Sequence, residues 1–167
     1  MTVNTAAMFR RGVTSLAAAG LLATAMPVMA QAADVTVRVT HVKALDVIDN
    51  ASPADFVAII SVGGEKPCTT SVVKDKNEIR PNDWVSTFKV PAGIHDVKVR
   101  LADKDVALND PVDINRLPSK RDLDFKINTR NCVISGFAQT YTCGARITRS
   151  GDEKKKAQIT FVVTSRR

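Results

Sequence analysis

Residues 34–167 are predicted to form an all-β, eight-stranded antiparallel β-sandwich, on three observations. Short runs that alternate apolar and polar residues recur at even spacing, Gly, Pro, Asn and Asp cluster between them, and no segment keeps a helical apolar period. Many short strands separated by turn residues are the pattern of a sandwich or a barrel.

The elements follow in order. "VTVRVTHV" alternates from Val35, and "FVAIISV" reads as a strand buried on both faces. "CTTSVVK", "WVSTFKV", "HDVKVRLA", "RDLDFKI", "ARITRS" and "AQITFVV" complete the eight. The breaks "DNASPAD", "GGEKP", "NEIRPND", "PAG", "DKDVALNDP" and "SGDEKK" are made of turn-forming residues. Pro111 to Lys120 is left as a loop or a short helical turn. Lys154 to Lys156 enter the last strand, where charge guards an edge against pairing with another chain or, as a second reading, meets an anionic membrane.

The first 33 residues read differently. "MFRR" is a positive n-region, "GVTSLAAAGLLATAMPVMA" an apolar stretch, and "AQA" a small-residue cleavage site, so residues 1–33 are expected to be a signal peptide. Removing it takes Arg10 and Arg11 from a chain of formal net charge +7. The expected location is periplasmic or secreted. The remaining length suits a single domain, expected to be monomeric, and the positive balance favours anionic surfaces. Nucleic acid is not expected as a partner, since export removes the chain from most of it and no basic helix or aromatic-plus-basic motif occurs.

Three cysteines fall after the leader, and an oxidising compartment permits a disulfide among three possible pairings. Cys132 and Cys143 bracket "CVISGFAQTYTC", a stretch of hairpin size, and are the expected pair, with Cys68 left over. A zinc site lacks a close cysteine pair and has only His41 and His95 for imidazole ligands.

Two acidic loops carry the candidate chemistry. "LDVIDNASPADF" holds Asp46, Asp49 and Asp55, and "ADKDVALND" holds Asp103, Asp105 and Asp110. Asp and Asn favour turns on their own account, so one reading is two solvated turns. The other is a shared cation, because loops at one end of a sandwich converge and crowded carboxylates repel unless a positive charge intervenes. Calcium takes six to eight oxygen ligands at about 2.3–2.6 Å with loose geometry, which suits such a set better than magnesium's strict octahedron.

The stretch "VTVRVTHVKALDVID", "DFVAIISV", "CTTSVVK", "PNDWVSTFKV" and "VKVRLADKD" resembles a C2 domain, over about residues 35–113. In that family a loop Asp is followed by a second before an aromatic-Val strand, a Pro-x-Trp segment opens a later strand, and an Asp-x-Asp ends another. Asp49 and Asp55 match the first spacing, Trp84 and Phe88 the Trp-to-Phe spacing, and Asp103 with Asp105 the Asp-x-Asp. The sequence departs where Phe56 stands for the family Tyr and where the second acidic loop is one residue short. The resemblance implies an eight-stranded antiparallel C2-like β-sandwich in the permuted, type II topology, with "AQITFVV" filling the place of an extra first strand. It also implies calcium held by Asp49, Asp55, Asp103, Asp105 and Asp110. Val47, Ile48, Val106 and Leu108 at the loop tips are then the expected membrane contacts.

No catalytic motif is present: there is no nucleophile with a placed base and no phosphate-cradling glycine loop, so the chain is not expected to be an enzyme. The expected function is an exported calcium-binding C2-like module that docks on anionic phospholipid or another acidic surface. The alternative is a calcium-independent module that binds another exported protein through the same loops or a strand edge. A small carbohydrate-binding or inhibitor-like domain is a third possibility.

Overall fold

In the computed structural model, residues 31–49, 52–105 and 109–167 are described, and their regular structure is twelve strands in two antiparallel sheets. Among them no helix is long and apolar enough to cross a membrane. The first sheet is built on β1 (Ala32–Ala44). Along one side of β1 lies β12 (Ala157–Arg166), flanked by β11 (Arg146–Ser150). Along the other, β5 (Val85–Pro91) pairs with Ala32 to Arg38, and β4 (Glu78–Ile79) with Val42 and Lys43. The last strand therefore lies beside the first, where the resemblance places it.

The second sheet is built on β6 (Ile94–Lys104). On one side are β2 (Phe56–Val62) and then β3 (Cys68–Thr69). On the other, β8 (Leu123–Asn128) pairs with the first half of β6, and β7 (Asn109–Val112) with its end. Beyond β8 come β9 (Val133–Ser135) and β10 (Tyr141–Thr142).

The alternation in the sequence is the cause of the sandwich. Val35, Val37 and Val39 on β1, Val97, Val99 and Leu101 on β6, and Ile159, Phe161 and Val163 on β12 all turn inward and are buried. Each such side chain withdrawn from water contributes roughly 1.5–3 kcal/mol before entropy is counted. A bulge between Val39 and His41 inserts one residue into β1, so the phase slips and Val42 faces the core in place of His41. Trp84 is fully buried, and its indole N–H donates to Ser71 Oγ at 3.1 Å, which removes the cost of an unpaired polar group.

The eight expected strands are twelve because the edges add short pairings at β4, β7, β9 and β10 that are too brief to show a period. "CTTSVVK" contracts to the two residues of β3. Thr70 Oγ1 accepts the Ala58 N–H at 3.0 Å, so a hydroxyl replaces the ladder carbonyl and the strand breaks there. Lys154 and Lys155 lie in the turn before β12, and Lys156 bridges to Asp113, so the run does not guard an open strand edge. Pro111 to Lys120 contains no helix. β1 starts at Ala32, and Ala33 is buried against the core, so the first strand takes in the last two residues of the stretch read as leader. Residues 1–30 of that stretch lie outside the described residues.

Candidate metal centre

Strand register creates the acidic pole. β1 runs into the first acidic loop and β6 into the second, while β2 begins opposite the end of β6, with Phe56 paired to Asp103. The return of the first loop is thereby laid against the exit of β6. The Asp55 N–H donates to Asp103 Oδ1 at 2.7 Å, and the Lys104 N–H donates to the Asp55 carbonyl at 2.8 Å.

Asp49, Asp103 and Asp105 meet there, with one carboxylate oxygen of each within 4.8 Å of the others. Asp103 is 2% exposed, Asp49 half-buried and Asp105 exposed, so the group runs from the protein interior to solvent. Ser52 donates its hydroxyl to Asp49 Oδ2 at 2.8 Å. Burial pushes the Asp103 carboxyl above its ordinary value. The charges of Asp105, Asp49 and Asp55 push the same way, against the lowering effect of the Asp55 N–H. Asp103 therefore carries a carboxylate in a place that disfavours negative charge, the condition that a bound cation relieves.

The donor set fits calcium. Three carboxylates offer hard oxygens, one pair borne on a strand end and the third on a loop, and such ligands suit a large cation of loose geometry more than zinc or a soft metal.

Two of the five expected ligands lie outside this group and have other partners. Asp55 contributes its backbone to Asp103, and its Oδ1 accepts the Asp75 N–H at 2.8 Å, bracing the neighbouring 74–77 loop. Asp110 pairs with Lys155, Nζ to Oδ2 at 2.5 Å. Neither stands in the group of three whose oxygens lie within 4.8 Å of one another. Of the expected membrane contacts, Val47 is 63% exposed, whereas Ile48 is buried in the core and anchors the loop. Ile48 is therefore withdrawn as a contact: an inserting side chain has to be free at the surface. Val106 and Leu108 lie outside the described residues.

A basic turn adjoins the acidic pole, and its position beside that pole was not visible in the sequence. Asp113 is fully buried and accepts the N–H groups of Asn115, Asp152 and Glu153 at 2.8–2.9 Å. These bonds, with Lys155 O accepting the Asp113 N–H, pin the β11–β12 turn against the end of β7. Gly151 packs so tightly there that a Cβ would lie 2.2 Å from the Asp113 carbonyl oxygen. The result is a cleft of about 690 Å³ lined by Asp46, Val47, Asp110, Arg121, Lys154 and Lys155.

The disulfide joins Cys132 and Cys143 as expected, with Cα atoms 5.2 Å apart, and closes the β9–β10 hairpin. Cys68 is free.

These features define a class. The chain is a C2-like β-sandwich domain. A solved C2 domain superposes with a TM-score of 0.51 at 12% identity, covering 81% of this chain and 99% of that one. The tandem C2 domains of extended synaptotagmin 2 give a TM-score of 0.57 at 15% identity, covering 93% of this chain and 48% of that one. A calcium-bound structure of the same pair gives 0.52 at 13%, covering 79% and 45%. Human GIVD cytosolic phospholipase A2, in complex with methyl γ-linolenyl fluorophosphonate, gives 0.53 at 15%, covering 80% of this chain and 17% of that one. The chain thus spans less than a fifth of the phospholipase and under half of the synaptotagmin pair. No family model and no curated protein matches the sequence itself.

Proposed function

We propose that the chain is an exported calcium-dependent module that docks on anionic phospholipid through its acidic pole and acts without catalysis. One observation carries this reading: carboxylates from two loops more than fifty residues apart, Asp49 with Asp103 and Asp105, meet within 4.8 Å around a buried member whose surroundings disfavour its charge. A calcium-bound neighbour of the same fold supports it. Asp49, Asp103 and Asp105 are the residues that would hold the ion. Bound there, calcium supplies positive charge to lipid phosphate oxygens and turns an acidic rim into a phosphate receptor. Val47, exposed beside the group, is free to enter the headgroup layer. The Cys132–Cys143 disulfide favours a periplasmic or secreted location, since such bonds persist in oxidising compartments.

The test is co-sedimentation with phosphatidylcholine vesicles, with and without phosphatidylserine, in calcium and in chelator. Binding that needs both calcium and the anionic lipid is expected. Equal binding in chelator overturns the calcium requirement, and binding to neither lipid in calcium leaves the calcium-independent protein-binding module as the better reading.

A further inference from the structure

The molecule carries its own cation at the rim of the acidic pole. Lys155 Nζ lies 2.5 Å from Asp110 Oδ2, and both side chains are partly exposed. Strand register sets Asp110 directly opposite Asp103, so the lysine paired with Asp110 also stands in the field of the central carboxylates; the Asp110 hydrogen bond, with the charges of Asp110, Asp103 and Asp105, holds its ammonium more strongly protonated than usual. Its position is not that of a wandering surface chain. The turn that bears it is fixed by the buried Asp113, by the Gly151 contact and by the Ser119 N–H bound to Glu153 Oε1 at 2.8 Å.

The cleft beside this pair is chemically two-sided. Asp46 and Asp110 line it with Arg121, Lys154 and Lys155, and Val47 stands at its edge. Arg121 is held in place by its bond to the Pro111 carbonyl at 2.7 Å. Three cations in a cleft of about 690 Å³ next to an exposed apolar tip match the phosphate of a lipid headgroup with the acyl region close by.

We propose that Lys155 is a tethered counter-ion that exchanges partners: it neutralises Asp110 when the acidic pole is free of calcium and moves to lipid phosphate when calcium is bound. The inference rests on the calcium-dependent reading above and adds a coupling to it. A divalent ion at Asp49, Asp103 and Asp105 weakens the attraction that holds Lys155 at the rim. The freed ammonium then joins Lys154 and Arg121 facing the cleft. Calcium binding and lipid binding assist each other by the same factor, because linkage is reciprocal.

Calcium affinity is measured by titration calorimetry on the protein and its Lys155→Met variant, alone and with phosphatidylserine-containing vesicles. Lys154→Met serves as a control of equal net charge, and Lys155→Arg retains the exchangeable cation. Without lipid, Lys155→Met is expected to bind calcium several-fold more tightly than the parent, because a competing cation is gone. With vesicles its calcium affinity should rise less than the parent's does. Lys155→Arg should behave as the parent, and inorganic phosphate in place of vesicles should reproduce little of the effect, since only the membrane also offers Val47 an apolar phase. An unchanged calcium affinity in Lys155→Met, or tighter calcium with undiminished lipid coupling, or Lys154→Met matching it in both respects, overturns the exchange. If the parent takes up no calcium at millimolar concentration, the functional reading falls and the exchange with it.

Discussion

Asp103 concentrates the tension of the acidic pole in one side chain. Its carboxyl is 2% exposed and titrates above the ordinary range, first through burial and then through its acidic neighbours. Far below that range the group is protonated in both folded and unfolded states and has no effect on stability. As pH rises through the raised folded value, the native state must hold a buried charge that the unfolded chain carries in water, so stability falls. In chelator, Asp103→Asn should abolish this part of the fall, because the amide oxygen still accepts the Asp55 N–H. Urea midpoints across pH check this, and the variant is expected to be no less stable than the parent at neutral pH. In calcium the order reverses, with the parent stabilised and the variant unresponsive. The ligand types were legible at this scale, since Asp49, Asp103 and Asp105 all stood in turn-rich segments after alternating strands. The partners were not: nothing local to Asp110 or Asp55 announces Lys155 or the Asp75 N–H, which arrive from elements far along the chain.

Elements, in turn, owe their positions to a few buried contacts. The β11–β12 turn hangs on Asp113, and Asp113→Ala would leave three N–H groups without their acceptor. Each lost hydrogen bond costs about 0.5–1.5 kcal/mol net, and water reaches the exposed Asp152 and Glu153, so the variant should melt below the parent and lose the fixed placement of Lys154 and Lys155. Gly151→Ala acts on the same junction by overpacking, at a cost of about 1–3 kcal/mol, readable as a lower urea midpoint. Replacing Cys132 and Cys143 together with alanine removes the closure of the β9–β10 hairpin and should cost about 2–3 kcal/mol, with no change in calcium affinity because the hairpin is not part of the acidic pole. The lysine run illustrates why elements of this kind escape a sequence reading. "KKK" before an alternating strand looks like edge protection, and only the triple acceptor at Asp113, a tertiary feature, sets Lys154 and Lys155 in a turn at the rim of the acidic pole.

For the whole molecule, alternation with a period of two is sufficient to specify two sheets and a shared core, and it was legible from Val35 to Val163. The convergence of the loops was legible only as an expectation of the architecture. Its physical basis is the register that sets Phe56 opposite Asp103, and a slip of one residue would have turned the acidic side chain to the other face. Calcium that binds only the native state should raise the stability of the entire domain by mass action, by about 2.7 kcal/mol at a concentration one hundred times the dissociation constant. A thermal melt in calcium and in chelator reads this directly, and a melting temperature indifferent to millimolar calcium would contradict the proposed ligand set.

The antiparallel seam of β1 and β12 sets Asp34 opposite Arg166, while Ala44 faces Ala157 at the other end of the seam, next to the acidic loops. Both ends of the sandwich's chain therefore emerge together at the far pole. A purification tag or a fluorophore joined after Arg167 hangs behind the domain like a handle and leaves the carboxylate face pointing outward.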